Sequence, residues 1–63
     1  MLPHQERVIA EKHELDVKRD ALNVFIGGTV FAGLDEAEKE RLMRQAEAMR
    51  EYSLVIGERI DAF

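Results

Sequence analysis

The chain contains no cysteine, which excludes a disulfide staple and a thiolate metal site. Its two histidines, His4 and His13, stand nine residues apart with no ligand-rich neighbourhood, so no metal and no cofactor is expected. The single proline is Pro3, and from there to Ile26 no glycine intervenes either. Nothing over that span stops a helix. Long apolar runs are missing too. The longest uncharged stretch, Ala21 to Leu34, is interrupted by glycines and is too short to span a bilayer. The opening MLPHQER lacks the pattern of a signal peptide, so a cytoplasmic protein with no membrane partner is expected. Finally, there is no excess of positive charge: nine Lys and Arg are scattered among thirteen Asp and Glu, for a net charge of −4. That balance argues against holding long DNA or RNA on a basic face, while leaving room for a small anion held by a few residues.

What is present is helical pattern with one interruption. Residues 27–34 carry three of the four glycines, and they divide the chain into a helix over about residues 4–26, a turn over 27–34 and a helix over about 35–62. Gly27 and Gly28 can take a positive φ at no Cβ cost, so a left-handed cap is expected to end the first helix. Asp35 is an N-cap, with Glu38 placed to complete a capping box. The first helix repeats Val8, Leu15 and Leu22 at sevens, a narrow coiled-coil-like seam interleaved with Glu11 and Lys18. The second repeats Leu42, Met49, Ile56 and Phe63, joined by Ala46, Ser53 and Ile60. Folded back on each other, the helices pair residues whose numbers sum to roughly 61–64, so that Leu15 faces Met49 and Val8 faces Ile56. The fold expected is all-α, an antiparallel two-helix hairpin forming one domain over residues 1–63.

So small a hairpin has a marginal core, and its turn is unusually apolar. Val30, Phe31 and Leu34 need cover from the hairpin itself or from another protomer, which predicts a homo-oligomer. Gly57 interrupts the second helix at a cost of ~1 kcal/mol relative to alanine, and a close helix approach there is the expected compensation. Glu14 with Lys18 and Glu40 with Arg44 are spaced for surface pairs along each helix.

Several residues can be read in two ways. Gly27, Gly28 and Thr29 form either a nest whose amides and hydroxyl converge on an anion, or a glycine C-cap with a locally satisfied threonine. Gln45, Tyr52 and Arg59 make a polar ladder beside the seam; Tyr52 and Arg59 either stack on a base and bind a phosphate, or pack at the seam edge. Lys12, Lys18 and Arg19 line a cleft between protomers or are solvated. Arg50 reads as an ordinary surface residue. Ser53 has no histidine or lysine at helical spacing to activate it, and no catalytic residue is expected.

The run RVIAEKHELDVKRDALNVFIGG, then F-x-x-L, then E-x-x-x-L-x-x-Q-x-x-x-M-x-x-Y and ERI, covers nearly the whole chain. It carries Arg7, Glu11, Leu15, Lys18, Leu22, Phe25 and Ile26 in the first helix, and Glu38, Leu42, Gln45, Met49, Tyr52, Arg59 and Ile60 in the second. In this pattern the chain resembles the helical-hairpin domain of short bacteriophage anti-CBASS and anti-Thoeris sponges. The resemblance implies a non-enzymatic homo-oligomer, a hexamer, acting in the cytoplasm of the host bacterium. It further implies sequestration of cyclic di- or trinucleotides or cyclic ADP-ribose-type signals in pockets between protomers. Lys18, Gly27, Gly28, Thr29, Tyr52 and Arg59 are the candidate ligand-binding residues. The alternative is a small helical oligomeric interaction or adaptor module with no small-molecule ligand.

Overall fold

A computed structural model describes residues 1–63 and shows an all-α chain of three helices: α1 (Pro3–Ile26), α2 (Thr29–Ala32) and α3 (Glu36–Asp61). The two long helices pack side by side, and α2 is a single turn inserted between them. The result is a rod of 46 × 14 × 13 Å. Its Cα radius of gyration of 14.5 Å exceeds the roughly 11 Å of a compact domain of this length, so much of the side-chain surface has nothing to pack against.

Both long helices start where the residues direct. Pro3 occupies the first turn of α1, and the Leu2 N–H donates to the Gln5 side chain at 3.0 Å. Asp35 caps α3 by accepting from the Glu38 N–H at 2.9 Å. The reciprocal half of the expected capping box does not form, because the Glu38 carboxylate accepts from Arg41 Nε at 2.9 Å instead. The side-chain pairs on α3 follow the same one-turn preference, Lys39 with Glu36 and Arg50 with Glu47. Neither Glu14–Lys18 nor Glu40–Arg44 closes into an ion pair.

The turn differs from expectation in its backbone. Gly27 and Gly28 both have negative φ (−78° and −98°), and no residue of the chain enters the left-handed region. Instead of a left-handed cap, α1 closes with the Gly27 N–H donating to the Asn23 carbonyl at 3.2 Å and the Gly28 N–H to the Phe25 carbonyl at 3.0 Å. Gly28 matters for space: a Cβ there would lie 3.3 Å from the Phe25 carbonyl oxygen. The extended Gly28 then turns the chain into α2, which folds Phe31 edge-on against Phe25 with ring centroids 6.4 Å apart. Lys39 Nζ lies 6.0 Å from the Phe31 ring centre. Phe31 and Leu34 are thereby half-buried within the hairpin, whereas Val30 stays 64 % exposed.

The core is thin. Only Val8, Leu15 and Ile56 are buried apolar side chains, with Met49 and Ile60 packed against them. Val8 and Ile56 lie in one cluster, as the expected register requires. Leu22, Leu42 and Met49, expected in the core, are half-buried, since a two-helix seam has no third element to cover its outer side. Phe31→Asp removes the aromatic contact at the tip, worth ~0.5–1.5 kcal/mol beyond burial. It is expected to lower the thermal midpoint and to dissociate any assembly through the tip. A variant with wild-type mass in solution and wild-type melting would show that the tip has neither role.

Candidate functional site

One polar side chain is inside this seam. Ser53 is 3 % exposed, and its hydroxyl donates to Asp16 Oδ1 at 2.6 Å while accepting from Lys12 Nζ at 3.2 Å. Lys12 Nζ also donates to Asp16 Oδ2 at 2.7 Å, and Arg19 donates to Asp16 Oδ1 at 3.1 Å. The buried hydroxyl is therefore partnered both as donor and as acceptor, as a satisfied interior polar group requires. The network links α1 to α3 and fixes their register. At Gly57 the Lys12 stem passes over α3, 3.4 Å from where a Cβ would stand; a side chain, and not the backbone of α1, makes the approach at this glycine.

The Lys12 and Ser53 hydrogen bonds, with the Arg19 contact, hold the Asp16 carboxyl well below the usual carboxylate range. The folded value lies under the unfolded value of about 3.9. Its stabilisation is thus complete above that pH and is lost progressively as the pH falls from there towards the folded value. Asp16→Asn is expected to lower the melting temperature at neutral pH and to match wild type more closely in strong acid. Circular dichroism melts across pH check this, and an offset independent of pH would show that the charge plays no part.

This cluster does not make a nucleophile. The Ser53 proton is directed at a carboxylate too weakly basic to take it, and Lys12 is ion-paired to the same carboxylate. Helical spacing within α3 offers Ser53 no lysine; Lys12 reaches it from the other helix.

The same face of the hairpin is concave. Lys12, Arg19, Arg50, Ser53, Leu54 and Gly57, with Glu58 and Asp61 at the open end, line a cleft of 320 Å³. A second cleft of 220 Å³ continues towards the tip between Asn23, Ile26, Met43 and Ala46, with Glu47 beside it, and it shares Arg19 and Arg50 with the first. Arg50, read from sequence as an ordinary surface residue, lines both. Its guanidinium is raised in pKa by the hydrogen bonds it donates to Glu47, and the same contact lowers Glu47.

Of the residues singled out from sequence, Lys12 and Arg19 line this groove, whereas the six candidate ligand-binding residues lie elsewhere. Lys18, Tyr52 and Arg59 are exposed, and their helical positions put them on the opposite edge of the seam from Arg19, Arg50 and Gly57. Gln45 contacts the sulfur of its own helix neighbour Met49 at 3.8 Å. Thr29 is at the tip, some 30 residues of sequence from Arg59 and roughly 35 Å along α3 at ~1.5 Å per residue. One hairpin therefore cannot bring Thr29 and Arg59 to the same small ligand. The Gly27 and Gly28 amides are already engaged by α1 carbonyls, which removes the donors that an anion nest requires.

Asp16 and Ser53 were not legible as a site. Ser53 sits on the apolar stripe, where it reads as a small core residue, and Asp16 meets it only once the register is set. No group of three His, Asp or Glu side chains is arranged to hold a metal ion, and no helix is long and apolar enough to cross a membrane.

A family model described as Sequestin matches residues 2–62, almost the whole chain. No curated protein and no solved structure matches.

Proposed function

The chain belongs to the Sequestin family, and from that membership we propose that it sequesters a cyclic oligonucleotide or cyclic ADP-ribose-type immune signal without cleaving it. The family name speaks of sequestration rather than catalysis. The observation that supports the reading in this molecule is the groove, where Lys12, Arg19 and Arg50 line one face, each held by a carboxylate of its own helix, on a chain with net charge −4. Charge-assisted donors of this kind are what a phosphate needs. The setting of Ser53 supports binding without chemistry, since its proton has no adequate base to go to.

Assembly completes the proposal. Besides its seam, α1 carries Ala10, Val17 and Val24 at sevens on its outer side, and α3 carries Ala48 and Val55, with Ala62 following at its C-cap. All six are exposed, Val17 by 56 % and Val24 by 76 %. A helix apolar on two sides is one that packs twice. We place these stripes at contacts in a homo-oligomer, a hexamer, whose protomers bring Lys18, Tyr52 and Arg59 of one hairpin towards another. The same stripes favour the second reading, an adaptor that packs on a different helical protein and has no small ligand.

Ultrafiltration separates the two. Protein incubated with cyclic dinucleotides, cyclic trinucleotides or cyclic ADP-ribose isomers should retain one of them above the filter and release it chemically unchanged on heat denaturation. Retention of none would leave the adaptor reading. Recovery of a linearised product would make the protein an enzyme.

A further inference from the structure

The two clefts of the groove meet at a pair of arginines, because Arg19 and Arg50 line both. At 320 and 220 Å³, each is near or below the lower end of the ~300–1,000 Å³ usual for small-molecule sites, while the two in tandem fall within it. Each arginine is aimed by a carboxylate one turn back on its own helix, Arg19 by Asp16 at 3.1 Å and Arg50 by Glu47 at 2.7 Å. A guanidinium has N–H donors around a planar fork. Asp16 engages Arg19 through one terminal nitrogen, and Glu47 engages Arg50 through Nε and one terminal nitrogen. Both side chains keep N–H donors that no carboxylate uses.

We infer that Arg19 and Arg50 grip the phosphate linker of a two-part nucleotide, a phosphodiester- or pyrophosphate-bridged ligand whose two halves lie in the clefts on either side. The inference rests on the proposed sequestering function and says where the ligand's charge sits. The outer ends of the groove fit that placement. Towards the tip, Ile26, Met43 and Ala46 offer an apolar wall, and a thioether adapts to the face of a flat ring. At the open end, Glu58 and Asp61 repel a phosphate but accept hydrogen bonds from ribose hydroxyls or exocyclic amines. Negative charge on the ligand is thus confined to the arginine pair. A ligand with a terminal phosphate would carry that charge towards an acidic or apolar end.

Calorimetric titration tests this with 3′,3′-cyclic GMP–AMP, cyclic ADP-ribose and diadenosine pyrophosphate as bridged probes and AMP as the unbridged one. At least one bridged probe should bind ten times more tightly than AMP, on the order of 1.4 kcal/mol. Arg19→Gln and Arg50→Gln should each weaken that probe roughly 30-fold or more, as loss of a charged partner does. Arg41→Gln, an exposed arginine paired with Glu38 outside the groove, should change it less than about threefold. Equal binding of AMP and the bridged probes, or wild-type affinity in both groove variants, would overturn the inference and leave sequestration standing. If wild type binds no nucleotide, the functional reading fails, and inorganic pyrophosphate decides the site alone. Shifts of the Arg19 and Arg50 Nε–H NMR signals would retain the anion site, and unshifted signals would overturn it.

Discussion

Ile56→Ala is expected to leave the isolated chain without a cooperative fold. Ile56 is 1 % exposed and is the most completely buried large side chain in the molecule. It belongs to a core of three buried apolar residues. Truncating such a residue costs about 2–5 kcal/mol through lost transfer energy and the cavity left behind. A single core in a chain this small rarely supplies more than ~3–5 kcal/mol, so the loss is comparable to the whole. Ile56→Val, which removes one methylene, should cost only ~0.5–1.5 kcal/mol and keep the helix. Thermal melts followed by circular dichroism distinguish the two. An Ile56→Ala protein that melts within a few degrees of wild type would mean that the stability resides elsewhere, in contacts between protomers.

Arg59→Ala is expected to weaken ligand binding by roughly 30-fold or more if Arg59 reaches the ligand from a neighbouring protomer in a desolvated pocket. In a single hairpin, Arg59 lies on the edge of the seam opposite the groove. The effect therefore requires the assembly, and it should vanish in any variant that is monomeric but still folded. Tyr52→Ala removes a stacking face and should cost ~1–3 kcal/mol of affinity by the same route. Titrations of both variants, with oligomeric state measured alongside, check the expectation. Wild-type affinity in both would move the site entirely to the groove. The comparison needs a control distant from both faces. Arg50 cannot serve, since it lines both clefts; Arg41, paired with Glu38, can.

The hairpin was legible in the residues because its signals are local and agree with one another. Pro3 opens α1, the glycines at 27 and 28 close it, Asp35 opens α3, and the seven-residue repeats of Val8 with Leu15 and of Met49 with Ile56 define one seam. The turn was legible only in part. Two adjacent glycines permit a left-handed cap, but Phe31 packing on Phe25 favours a turn that stays in the right-handed and extended regions. Which of these wins depends on tertiary contact. The groove was less legible still. Lys12 and Arg19 stood out as possible cleft residues, but Asp16 and Ser53 are unremarkable in sequence order; they meet only because the register sets Asp16 beside Ser53. Tyr52 and Arg59 stood out from sequence by their types and spacing, which say nothing about which edge of the seam is concave.

Native mass spectrometry of the purified protein, with cyclic di- and trinucleotides and cyclic ADP-ribose isomers present, tests the central claim most directly. The account predicts a discrete homo-oligomer carrying a fixed number of ligands, each at its intact mass. A ligand-free protein at every concentration of every one of these compounds, or a bound species whose mass shows the ring opened, would contradict it.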